Sequence, residues 1–230
     1  MRFVIFIVAG LLCQFSLLAS VDETWVRGNY TKTEHRVPMR DGVSLYTAVY
    51  TPDDTLPHPI LMFRSTYGSG PYGEEFNKNL WNGLARYTER GYIIVYQDVR
   101  GQRMSEGEFE NVRPVHILNE KGANDVTDVY DTADWLLANT RSNGNIGVSG
   151  NSYLGFTAFT AALSAHPAIK AVCPEAPIGD WFMGDDFHHN GVLMPSHGFG
   201  LLSGFGLPRH GRSTHGGRKT KYYADDEYSF

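Results

Sequence analysis

Between residues 60 and 165, short apolar runs alternate with segments of helical periodicity, a pattern that few architectures accept. Ile60-Leu61-Met62-Phe63 reads as a buried strand running into the turn-forming loop Arg64 to Gly70. Phe76 to Arg90 has helical spacing, with Leu80, Leu84 and Tyr87 on one face and Gly91 closing it. Tyr92 to Tyr96 is the most apolar strand candidate. Asp125 to Asn139 is amphipathic through Val126, Val129, Ala133, Leu136 and Leu137. Ile146 and Val148 mark another short strand. Tyr153 to Ala165 reads as a helix on Phe156, Phe159, Ala162 and Leu163, and Ile169 to Pro174 is again mainly apolar. Strands that alternate with helices demand an α/β fold: a mostly parallel sheet with helices on both faces. Ahead of it, His35 to Met39, the Asp41-Gly42 turn and Val43 to Tyr50 read as a hairpin.

The stretch Asn145 to Phe156 is where this alternation becomes chemical. A strand ends in small residues, Ser152 follows, and a helix begins at once. A serine on a tight strand-to-helix turn stands proud of the sheet, with the helix N–H groups aimed over it. Gly150 and Gly155 suit such a turn, because a side chain at either would crowd the backbone. A serine hydroxyl becomes a useful nucleophile only when a base and an oxyanion site accompany the turn.

The 230 residues suit one α/β domain or part of one, with 42% hydrophobic and 20% charged residues. A formal charge of -5 and a pI near 6.0 argue against nucleic acid as a partner. Residues 1 to 20 read as a secretory signal peptide: Arg2, the apolar run Phe3 to Leu12, then the small pair Ala19-Ser20. Gln14 interrupts that run too early for a membrane span, so no stable membrane anchor is expected. The expected location is therefore secreted or periplasmic. With Cys13 removed, Cys173 stands alone and is expected to be a small buried hydrophobe. Asn29-Tyr30-Thr31 matches the glycosylation acceptor pattern. From Glu175 onward periodicity fades into an aromatic, acidic and histidine-rich segment, then a glycine-rich one. The domain plan is a signal at 1–20, a catalytic-domain portion at 21–205 and a polar tail at 206–230.

Gly150-Asn151-Ser152-Tyr153-Leu154-Gly155 resembles the Gly-x-Ser-Tyr-x-Gly motif of the X-Pro dipeptidyl peptidase and cocaine-esterase-like hydrolases. Within that group the chain is most similar to the α-amino-acid ester hydrolases, the β-lactam acylases. Met39 to Val43, Arg64-Ser65-Thr66-Tyr67, Gln97 to Gly101, Ser105 to Phe109, Asp128 to Leu136 and Trp181 to Gly191 agree in order and spacing. The likeness covers roughly residues 32 to 205.

The resemblance implies an α/β-hydrolase fold, incomplete at its C-terminus. It implies acyl transfer from α-amino-acid esters or amides, with Ser152 as the acylated nucleophile. The backbone N–H of Tyr153 and the phenol of Tyr67 would form the oxyanion hole. Asp186 would hold the substrate's α-ammonium, so the partner is a small molecule or short peptide with a free α-amino group. Asp185 reads as a solvated loop acid, and Asp98 and Arg100 as ion-pair residues. The resemblance puts the triad Asp and His beyond residue 230, and none of His166, His188, His189, His197, His210 and His215 is assigned as base. Thr66 replaces the usual proline, and Leu154 a commoner acidic residue. No cofactor is called for and no metal is expected, since adjacent His188 and His189 on a loop do not readily face one ion. An X-Pro dipeptidyl peptidase is the alternative enzyme. A truncated, non-catalytic remnant or binding module is the alternative outside enzymes, and a homo-oligomer is left open.

Overall fold

The computed structural model describes residues 21–113, 122–180, 183–198 and 209–211. A short helix α1 (Glu23–Asn29), capped by the Asp22 carboxylate on the Trp25 N–H, leads into β1 (Tyr30–Pro38) and β2 (Ser44–Pro52). These two pair antiparallel over their whole length, so the expected hairpin starts earlier and is longer than its apolar residues suggested. β3 (His58–Ser65) follows. The helix expected over 76–90 is broken into a 3-10 turn (Lys78–Trp81) and α2 (Ala85–Glu89). Asn77 caps the first piece through the Asn79 N–H, and Asn82-Gly83, both poor helix formers, separate the two. Leu80 is buried while Tyr87 is 42% exposed, so the proposed single stripe does not exist.

β4 (Ile93–Asp98) is buried throughout, and β5 (Gln102–Arg103) is a two-residue strand. Helix α3 (Asp125–Asn139) has the expected bounds, because Asn124 and Thr127 form a reciprocal capping box at its start. Then come β6 (Ser142–Asn151), α4 (Tyr153–Leu163) and β7 (Ile169–Glu175). Short pairs β8 (His188–His189) with β9 (Val192–Leu193), and β10 (Arg209–His210) with β5, complete the described chain.

The main sheet runs β1-β2-β4-β3-β6-β7, with β4, β3, β6 and β7 parallel. This is the expected mixed α/β architecture. On one face, Ile60, Met62, Ile93, Val95, Ile146 and Val148 pack against Val129, Ala133 and Leu136 of α3 and Ala158 and Ala161 of α4. On the other, Tyr50, Leu61, Ile94 and Tyr96 meet Val26 of α1 and Leu80. In α4 the sheet-facing residues are small, so the helix approaches closely, and Phe159, expected in the core, is 45% exposed.

Cys173 is exposed, contrary to expectation. It lies on β7, which pairs only with β6 among the described strands. With Gly147, Ser149 and Ala171 it floors an open apolar hollow of about 390 Å³ walled by Leu61, Phe63, Leu84, Tyr87 and Tyr92. Burial of a strand side chain depends on what covers its face, which a local apolar run does not report. The proposed signal at 1–20 and nearly all of the tail at 206–230 lie outside the described residues.

Candidate active site

Ser152 occupies the turn between β6 and α4 with φ 59° and ψ -122°, a conformation rare for a residue with a side chain. Such backbone strain persists only where the surroundings overdetermine it, and it concentrates at functional sites. Here two glycines permit it. A Cβ on Gly150 would fall on the Leu154 carbonyl, and one on Gly155 on the Glu175 carbonyl. The Ser152 N–H donates to the Glu175 carbonyl at 3.0 Å, pinning the turn to the end of β7. The Ser152 side chain makes no capping bond to α4, so its hydroxyl is not spent on the helix.

Tyr67 follows β3 by two residues, and Ser152 follows β6 by one. These strands are parallel neighbours, with Ile60 opposite Ile146 and Met62 opposite Val148, so both residues emerge at the carboxyl edge of the sheet. That edge is where open α/β sheets bind ligands. The Thr157 hydroxyl of α4 donates to the Arg64 carbonyl at 2.9 Å, tying the helix start to the end of β3. The Tyr67 N–H donates to Ser65 Oγ at 3.0 Å, and the Tyr67 ring is 42% exposed.

The Tyr153 side chain is buried against Phe156, Ile178 and Phe109, and its hydroxyl accepts the Val112 N–H at 2.8 Å. Burial pushes that phenol well above its ordinary range, so it stays neutral. The backbone N–H of Tyr153 belongs to the first residue of α4, immediately after Ser152.

Asp186 lies in the segment leading to β8, 3.7 Å from His197 Nε2. Its neighbour Asp185 is a half-buried loop acid that accepts the Gly179 N–H at 2.7 Å and the Asp186 N–H at 2.9 Å, tying the segment to the chain beyond β7. Trp181, Phe182 and His215 lie outside the described residues. His166 is engaged elsewhere: Nε2 contacts Asp134 at 3.0 Å, Nδ1 accepts the Ala168 N–H, and the ring meets Tyr130 edge-on. Among the described residues, no group of three or more His, Cys, Asp or Glu side chains is placed to hold a metal ion. Among them, too, no helix is long and apolar enough to cross a membrane.

Arg100 is an ion-pair residue, as expected: it holds Asp128 through Nε at 3.1 Å and Nη2 at 2.6 Å, and Asp41 through Nη1 at 2.7 Å. Asp98 is not its partner. That carboxylate accepts the Ser69 N–H at 2.6 Å, the Met104 N–H at 3.1 Å and the Tyr72 hydroxyl at 3.0 Å. β4 ends at Asp98 and the chain turns at once, with the Gln102 N–H closing onto the Val99 carbonyl at 3.1 Å, so the strand's alternation no longer governs where Arg100 goes. Sequence reasoning also missed Arg64, fully buried with Nε on the Gln97 side chain at 2.8 Å and Nη1 on the Asp125 carbonyl at 3.0 Å. An arginine inside an apolar strand was the available signal.

Residues 41–226 match the family described as X-Pro dipeptidyl-peptidase (S15 family). This chain belongs to that family. The cocaine esterase of Rhodococcus sp. (strain MB1 Bresler) is 34% identical over 189 residues, covering 79% of this chain and 30% of the esterase. The solved structure of an α-amino acid ester hydrolase superposes with a TM-score of 0.71 at 36% identity, over 80% of this chain and 31% of that one. An aminopeptidase from the marine sediment archaeon Thaumarchaeota archaeon gives a TM-score of 0.71 at 35% identity, over 79% and 31%. The chain thus spans under a third of the length of these similar proteins.

Proposed function

We propose that this chain carries the nucleophile half of a secreted serine hydrolase that transfers acyl groups from α-amino-acid esters or amides, including β-lactams bearing such side chains. Ser152 attacks the carbonyl, the Tyr153 N–H and the Tyr67 phenol receive the charge that develops on its oxygen, and water or an amine takes the acyl group. The observation that carries this reading is the strained Ser152 turn at the carboxyl edge, beside the loop bearing Tyr67. A general base is required as well, and it belongs to the remainder of the full-length protein. Asp186 is assigned to the substrate's α-ammonium, since a carboxylate facing a cation gives a charge-assisted contact. Similarity to an α-amino acid ester hydrolase and to an aminopeptidase supports that choice, because both names specify substrates with an α-amino group.

The family's own description favours a second reading, an X-Pro dipeptidyl peptidase, in which the recognised ammonium is a peptide N-terminus. A non-catalytic remnant or binding module is the reading outside enzymes. One experiment separates them. The full-length protein is labelled with a fluorophosphonate, then assayed on an α-amino-acid ester, its des-amino analogue and an X-Pro anilide. Labelling that S152A abolishes, with the amino ester cleaved fastest, supports the first reading. Fastest cleavage of the anilide supports the second, and no labelling the third. The pattern of residues 1–20 supports secretion or periplasmic export. N-terminal sequencing of the mature protein checks it: a start near Val21 agrees, and a retained Met1 overturns it.

A further inference from the structure

The loop that carries Tyr67 has three consecutive peptide N–H groups captured by two side chains. Ser65 Oγ accepts from Tyr67 at 3.0 Å and from Gly68 at 3.2 Å, and the Asp98 carboxylate accepts from Ser69 at 2.6 Å. Both acceptors stand at the ends of adjacent parallel strands, Ser65 opposite Asp98, and the Val99 N–H closes onto the Ser65 carbonyl at 3.0 Å. The same carboxylate takes the Tyr72 hydroxyl at 3.0 Å on the far side of the loop and the Met104 N–H at 3.1 Å from the next one. Asp98 is fully buried, whereas Tyr67 is 42% exposed. The reach of its phenol depends on where its backbone is anchored.

From this we infer that Asp98 is a positioning residue: it holds the 65–72 loop so that the Tyr67 hydroxyl meets the oxyanion formed at Ser152. The inference rests on the reading of Ser152 and Tyr67 given above. A donor that must stand near 3 Å from a transient charge loses most of its effect when its anchor slackens. Asparagine in place of Asp98 turns one acceptor oxygen into an NH₂ donor facing an N–H, so at least one anchor is lost. Burial pushes the Asp98 carboxyl above its ordinary range against the pull of its donors, which marks a group kept at some cost to stability.

The test uses the full-length protein and the variants D98N, Y67F, D98N/Y67F and S152A. D98N is expected to lower kcat on an α-amino-acid ester about ten- to hundred-fold with KM little changed. In the Y67F background it is expected to cost almost nothing further, since both act through one hydroxyl. A purely structural role predicts additive losses, which would overturn the inference. Hydrogen exchange supplies a readout independent of activity: peptides spanning 65–73 exchange faster in D98N. Should D98N not fold, Y72F removes one donor to the same carboxylate and is expected to loosen the same peptides less. Wild-type exchange in whichever variant folds overturns the anchoring, whatever S152A does. Equal hydrolysis by S152A and wild type, with faster exchange in D98N, overturns the nucleophile reading alone.

Discussion

The backbone N–H of Ser152 is bonded to the carbonyl of Glu175 at 3.0 Å, across the ends of two neighbouring parallel strands. The contact explains why a serine is held at φ 59°. The turn has no room to relax, because Gly155 packs directly on the same carbonyl. Strain there is maintained by the sheet, so its relief is measurable. S152G is expected to raise stability by about 1–2 kcal/mol in urea unfolding while abolishing fluorophosphonate labelling. S152A, which keeps a Cβ, is expected to abolish labelling at nearly wild-type stability. A destabilised S152G would contradict the strained-turn account.

The same geometry makes the flanking glycines intolerant. An alanine at Gly150 meets the Leu154 carbonyl and one at Gly155 meets the Glu175 carbonyl, both backbone groups that cannot swing aside. Each substitution is expected to cost about 2–3 kcal/mol or more, as overpacking does, and to lower soluble yield. Gly144, whose Cβ position is open, tests backbone conformation alone in contrast. Its φ of 84° still disfavours alanine, so the expected cost there is about 1 kcal/mol.

Asp128 stands between two buried arginines, 2.6 Å from Arg100 and 3.9 Å from Arg64, with its own side chain 2% exposed. Removing it leaves two buried cations short of a counter-charge. D128A is expected to cost about 3–5 kcal/mol, read as a shift in the urea midpoint. R100K, which keeps the charge but loses the two-pronged grip, is expected to cost less.

Titration of the Asp125 carboxyl supplies a pH signature. Burial raises it above its ordinary value, against the pull of Arg64. The folded state therefore binds this proton more tightly than the unfolded chain does. The stabilisation is fully present below the unfolded value and is lost as pH rises through the folded one. Asp41 runs the other way: burial would raise it, but the Arg100 guanidinium brings it below its ordinary range, so its stabilisation is lost only in stronger acid. D125N is expected to flatten the decline in stability from pH 4 towards neutrality, about the ordinary carboxylate range and above. Urea unfolding at a series of pH values measures this, and an unchanged slope would reject the assignment.

Much of this protein was legible in one dimension. The α3 bounds followed from a stripe of apolar residues, and the Asn124 cap that fixes its start is an equally local feature. The parallel sheet followed from strands separated by helices, because only a crossover can join parallel neighbours. The Ser152 turn was legible because glycine spacing reports backbone crowding. Other features were decided only when distant segments met. The break at Asn82-Gly83 overrode a plausible helical stripe, since Leu80 was needed in the core and Tyr87 was not. Cys173 is exposed because nothing described covers its side of β7, and a six-residue apolar run cannot say which of its faces will be covered. Asp98 and Arg100, two residues apart, part company because β4 ends at Asp98 and the chain turns after it: one anchors a loop and the other closes an ion pair with α3. Residue type and spacing determined most of the elements and the Ser152 turn. Which charge meets which, and which face stays open, belongs to the tertiary structure, because both depend on partners tens of residues away.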